Sequence, residues 1–228
     1  MYRSLLIAAS ALAMAAPALA VAETPRDLLI VAAFQAPTKP QALALVNQAI
    51  VASDRILTSR PGDHEAMLQR AIAIGYRGKL TRSRSDVRAS LDMSQKLADQ
   101  NPRDAEAQMV IAGWHLGAID QLGTFLARTA LGAREQVGET ALGRAVALGG
   151  NNAFYPGFAA LLQIRLNQDD VAPARRLAEA AANARTPTPI DGIMKRAALA
   201  ILPALRANDG KTAAALARKL MPFGKVMN

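Results

Sequence analysis

An all-α fold, a tetratricopeptide-like α-solenoid of antiparallel helix pairs, is what this sequence predicts, on three observations. Apolar residues recur at three- and four-residue steps through most of the chain. Two polar turns, with Asp63 and Asp104 separated by 41 positions, share Pro, Asp, Glu and Ala at matching offsets. Alternating β-branched runs are missing, and Asp209-Gly210 joins two helical stretches rather than two strands.

Residues 1–22 have the layout of a cleavable secretory signal peptide: Arg3, the apolar stretch Leu5 to Ala16, Pro17, then the small-residue sites Ala18-Leu19-Ala20 and Ala20-Val21-Ala22. Cleavage after Ala20 or after Ala22 would leave Val21 or Glu23 first. The apolar run is shorter than the roughly 20 residues of a spanning helix, so export, to the periplasm in a bacterial cell, is expected instead of anchoring. Pro25, Pro37 and Pro40 mark an extended lead-in segment over 23–40, and a helical domain is expected over 41–228.

In that domain Gln41 to Leu57 places Leu43, Val46, Ala49, Ile50, Ser53 and Leu57 on one helix face. Pro61-Gly62-Asp63 ends it, and Asp63 caps a second helix carrying Met67, Ile72 and Ile74, with Glu65 in its first turn. A third helix is expected over Asp86 to Ala98. The turn segments LTSRPGDHEA and ADQNPRDAEA make an internal repeat longer than the roughly 34 residues of a tetratricopeptide unit, and the surplus is assigned to a turn at Arg77 to Arg84. Stacking of such pairs buries each apolar face on the next and leaves a groove.

Ala105 to Leu122 reads as a helix buried nearly all round. Gly117, Gly123, Gly132, Gly138 and Gly143 then interrupt the pattern over 117–143, with a short extra helix around Thr124 to Leu131. Tyr155 to Ala181 sets Phe158, Leu161, Ala174, Ala178 and Ala181 where a tetratricopeptide repeat packs its core. Pro187 and Pro189 mark a linker before a terminal pair, Ile190 to Ala207 and Gly210 to Leu220, with Pro203 bending or ending the first.

The net charge is +9, and loss of Arg3 with the signal leaves +8. Such a surface suits an acidic protein or peptide, or weak contact with an anionic membrane surface. Export and an aromatic content of 4% argue against nucleic acid. Cysteine is absent, which removes disulfides, thiolate metal sites and a cysteine nucleophile. His64-Glu65 lacks the second histidine of a metalloprotease motif, no serine elbow occurs, and Gly149-Gly150 lacks the Lys-Ser/Thr of a phosphate loop. No metal, cofactor or catalytic residue is therefore expected. The leading expectation is a non-catalytic binding protein or scaffold that takes a protein or peptide in its groove. The alternatives are a small-ligand carrier of the envelope and a helical enzyme without a recognisable motif.

Two sets of residues are candidates for binding. Arg77, Lys79, Arg82, Arg84 and Arg88, relieved only by Asp86, form a basic segment suited to carboxylate or phosphate, or else a solvated loop. Trp114 and His115 either line the groove or plug the core between helix pairs, and the second reading is preferred.

The residues Gly113-Trp114-His115, Leu122-Gly123, Phe125, Thr129-Ala130 and Gly132, followed by Ala141, Ala145, Leu148 and Tyr155, resemble the regulator of microtubule dynamics family. The resemblance spans roughly Pro61 to Arg185. It implies a tetratricopeptide-like helical fold that acts through binding, and it supplies no catalytic residue.

Overall fold

The structure, a computed structural model, describes residues 23–227; the expected signal segment lies outside them. Among the described residues there are eleven α-helices and no strand. They are α1 (Pro25–Phe34), α2 (Lys39–Ser59), α3 (His64–Thr81), α4 (Arg84–Gln100), α5 (Ala105–Leu122), α6 (Thr124–Leu126), α7 (Glu135–Leu148), α8 (Phe154–Leu166), α9 (Ala172–Asn183), α10 (Pro189–Arg206) and α11 (Gly210–Leu220). A π-helical turn, Ala127–Leu131, follows α6 directly.

Local chemistry sets most helix starts. Asp63 and Asp104, the aspartates of the repeated turn, cap α3 and α5 by accepting backbone N–H bonds from Ala66, and from Glu106 and Ala107. Thr24-Pro25-Arg26-Asp27 and Thr188-Pro189-Ile190-Asp191 each form a capping box, with proline at the first helical position where its missing N–H costs nothing. Asp191 is buried and spans two elements, since its second carboxylate oxygen accepts the Phe154 N–H at 2.9 Å and ties the start of α8 to α10.

Three expectations are corrected. Residues 23–40 are not extended: Pro25–Phe34 is helical, and α2 begins at Lys39. The surplus length of the repeat does not lie in a turn at Arg77 to Arg84, because α3 runs to Thr81 and only Arg82 and Ser83 separate it from α4. The extra residues lengthen the helices instead, to 18 in α3 and 17 in α4. Of the five glycines, only Gly123 and Gly132 break the helical path, each at positive φ. Gly117, Gly138 and Gly143 lie inside α5 and α7. At Gly138 a Cβ would stand 2.7 Å from the Leu116 side chain, so glycine there lets α7 approach α5. Helix α10 continues through Pro203 to Arg206.

Helices pack mainly on their neighbours in sequence, α2 on α3, α3 on α4, α4 on α5, α5 on α7, α8 on α9, α9 on α10 and α10 on α11. Leu161, Ala174, Ala178 and Ala181 are fully buried in the cluster shared by α8 to α11. Packing between elements distant in sequence also occurs, α8 lying on α10, α11 and α5, and α1 makes the longest connections. It lies on α2 and α3, its Arg26 reaches α5, and its Ala33 carbonyl accepts the Phe223 N–H at 2.7 Å. Its end also borders Ile193, Arg196, Ala197 and Ala200 of α10 across a small cavity. A ten-residue helix is only about 15 Å long, so both ends of the array converge on α1, which buries Leu28, Leu29, Ile30, Ala32 and Ala33 among them.

Candidate interaction surfaces

Arginine side chains divide the molecule into two kinds of site. On the inner side, Arg26 of α1 is gripped by two glutamates. Its Nε and Nη2 donate to Glu65 at 2.8 Å, and its Nη1 and Nη2 donate to Glu106 at 2.9 Å. Glu65 and Glu106 follow the capping aspartates Asp63 and Asp104 at the same offset, so the repeated turn has placed two equivalent carboxylates on one guanidinium. Burial works against the Arg26 charge, but the hydrogen bonds from Glu65 and Glu106 outweigh it and hold the pKa above the ordinary arginine value. Around this clamp Gln69 donates to Glu106, and His64 Nε2 lies 2.7 Å from Asp104. Burial, with the Glu106 charge added, raises the Tyr76 hydroxyl and pushes Tyr155 up to about 12. Phe223 meets Tyr76 edge-on at 4.8 Å.

The basic segment splits. Arg77 turns onto Asp86 with a two-pronged ion pair, Nε at 2.7 Å and Nη2 at 2.8 Å, and that pair depresses the Asp86 carboxyl. Lys79 points inward: its Nζ donates to the Pro222 carbonyl at 3.2 Å and lies 5.9 Å from the Phe223 ring centre. Burial first, and the nearby Arg165 second, lower its pKa to about 8 against the opposing pull of Asp120. Arg82, Arg84 and Arg88 are exposed, and among the described residues their side chains have no hydrogen-bond or ion-pair partner.

Trp114 connects this segment to the next feature. Its Nε1–H donates to the Val87 carbonyl at 2.7 Å, and its ring packs with Ile119, Ala127 and Ala133. It thus fastens the start of α4 to α5 and to the excursion between Gly123 and Gly132. His115 is buried, and its Nδ1 accepts the Arg134 backbone N–H at 3.1 Å. Burial, with Arg134 nearby, lowers its pKa, so the ring is neutral and carries its proton on Nε2. Neither residue borders the two cavities described below.

On that excursion Phe125 is 76% exposed and Leu126 55%, and Leu122 at the end of α5 is 43% exposed. The short helix is legible in the sequence but its apolar exposure is not; Thr-Phe-Leu just after Gly123, in a stretch closed by Gly132, is the available signal. The cavities are modest. One of about 330 Å³ is bordered by the buried Asp120–Arg165 ion pair, Asn167, Asp169 and Arg218, and one of about 410 Å³ lies beside Phe34 and α10. Among the described residues no group of His, Asp or Glu is placed to hold a metal ion, and no helix is long and apolar enough to cross a membrane. Comparison with protein-family models, with curated proteins and with solved structures finds no match.

Proposed function

We propose that this is an exported, non-catalytic binding protein of tetratricopeptide-like architecture that engages an anionic partner through the arginine-bearing start of α4. One observation carries the reading: Arg82, Arg84 and Arg88 stand exposed without partners, while Arg77 and Lys79 of the same segment are taken up internally. Unpaired arginines at a helix junction contribute little to folding and present forked donors to carboxylate or phosphate.

A groove-bound peptide is the less favoured route, because α1 and Phe223 pack together in one buried cluster with α2 and α3. A small-ligand carrier is less favoured too, since neither cavity adjoins Trp114. The layout of residues 1–22 supports export, and the resemblance to the regulator of microtubule dynamics family supports a helical fold that works by binding.

Site-specific photo-crosslinking tests the proposal. A crosslinking amino acid at Arg84 should trap a partner in producing cells, and it should fail to do so at Val51, which is exposed on α2. The trapped species should disappear with Arg82→Glu or in high salt. Crosslinks that come equally from Val51, or that ignore salt and the charge reversal, would reject the arginine site.

A further inference from the structure

We propose that the anionic partner is a lipid bilayer surface, with Phe125 and Leu126 entering the boundary between headgroups and acyl chains and Arg82, Arg84 and Arg128 meeting lipid phosphates. This rests on the binding reading above and names its partner.

The apolar side chains are where a globular protein ordinarily avoids them. Phe125 and Leu126 stand on a short excursion that packs chiefly on α5, Leu122 ends α5 just before it, and all three face water. Contiguous exposed apolar groups of this kind mark a protein or membrane contact. The excursion is also built to hold its shape. Gly123 (φ 76°, ψ 157°) and Gly132 (φ 79°) turn the chain at its two ends. Thr129 Oγ1 donates to the Phe125 carbonyl at 3.0 Å, and Ala127 is buried against the helices behind. A π-helical turn such as Ala127–Leu131 is a rare element that often accompanies function.

Charge decides between the occupants. Arg128 lies two residues beyond Leu126, is exposed and has no side-chain partner among the described residues. Arg84 and Arg88 lie within one turn of Val87 on α4; the Val87 carbonyl takes the Trp114 indole N–H, and that ring packs with Ala127 and Ala133 at the base of the excursion. The C-terminus of α3, the N-terminus of α4 and the C-terminus of α5 therefore bring an apolar point and four arginines to one end of the molecule. The acidic residues on those helix ends, Asp86 and Asp120, are neutralised by ion pairs with Arg77 and Arg165, and Glu135 stands at the start of α7. A convex apolar point ringed by arginine suits a yielding surface of distributed negative charge, which is a bilayer containing anionic lipid. An acidic protein would need a cavity matched to Phe125 as well as carboxylates at fixed places.

Flotation of the full mature chain with vesicles provides the test. Phosphatidylcholine vesicles containing phosphatidylglycerol should carry the protein, and pure phosphatidylcholine vesicles should not. Phe125→Ser with Leu126→Ser should weaken partition by about tenfold or more, and Arg82→Glu with Arg84→Glu should abolish it. Both pairs are exposed, so unchanged thermal melts are expected to accompany the loss. Absence of binding to the phosphatidylglycerol vesicles, or binding that the double serine variant leaves intact, overturns the bilayer assignment. If vesicles fail while Arg84 crosslinks still trap a protein in a salt-sensitive manner, an acidic protein is the partner and the binding reading stands. If both fail, both proposals fall.

Discussion

The arginine at the start of α1 and the arginines at the start of α4 carry the same side chain to opposite ends. Arg26 is saturated by two carboxylates that the repeated turn supplies, and it fastens α1 across α3 and α5. Arg82, Arg84 and Arg88 meet no carboxylate, although Asp86 lies among them, because Arg77 has taken it. A basic run therefore cannot be weighed by its charge count. What matters is how many of its members the fold uses internally, and here the residues left over adjoin an apolar point that the fold also leaves uncovered.

The largest break in this contrast should come at Arg26. Arg26→Met leaves Glu65 and Glu106 facing each other across a partly buried space without their counter-charge. The expected loss is about 2 kcal/mol, below the range for fully buried pairs because Glu65 remains half in water. Denaturant titration should show it as a lowered midpoint, and Arg82→Met should change the unfolding free energy by less than about 0.5 kcal/mol. Equal effects from the two substitutions would erase the distinction between a structural and a free arginine.

Gly123→Ala probes the other region. At φ 76° and ψ 157° the backbone occupies a conformation essentially restricted to glycine, and a Cβ would meet nothing else within 4 Å, so the cost is purely conformational. We expect a loss of about 1 kcal/mol, the low end for such strain, because the excursion packs chiefly on α5 and can rearrange locally. Vesicle partition should fall by a larger factor than stability does, since the tip would be redirected. Loss of stability without loss of partition would separate the tip's shape from its proposed role.

How much of this was legible in the sequence depended on range. Helix starts at Asp63 and Asp104 and the packing positions Leu161, Ala174, Ala178 and Ala181 were readable because capping and periodicity act within a few residues. Helix α1 was missed through reading Pro25 as a breaker, although Thr24-Pro25-Arg26-Asp27 is a capping box and recurs as Thr188-Pro189-Ile190-Asp191. The Arg26 clamp joins residues 39 and 80 positions apart, and no local pattern encodes it. The same holds for Lys79, whose partner carbonyl lies 143 positions away.

Lys79 gives the most specific effect, a slope with pH instead of a fixed loss. It is the member of the basic segment that the fold has turned inward, where burial and Arg165 lower its pKa to about 8 from the ordinary 10.5. Between those values the unfolded chain still holds the proton that the folded chain has released. Stability therefore rises with pH across that window, and below it the protein carries the full penalty of a buried, charged lysine. Lys79→Met keeps most of the stem's packing and removes the titration, at the loss of the bond to the Pro222 carbonyl. Denaturant midpoints measured below and above the window should differ in the wild type by more than in the variant. If the two proteins respond to pH in parallel, Lys79 is solvated like Arg82 and Arg84, and the basic segment is one free surface rather than two halves with separate uses.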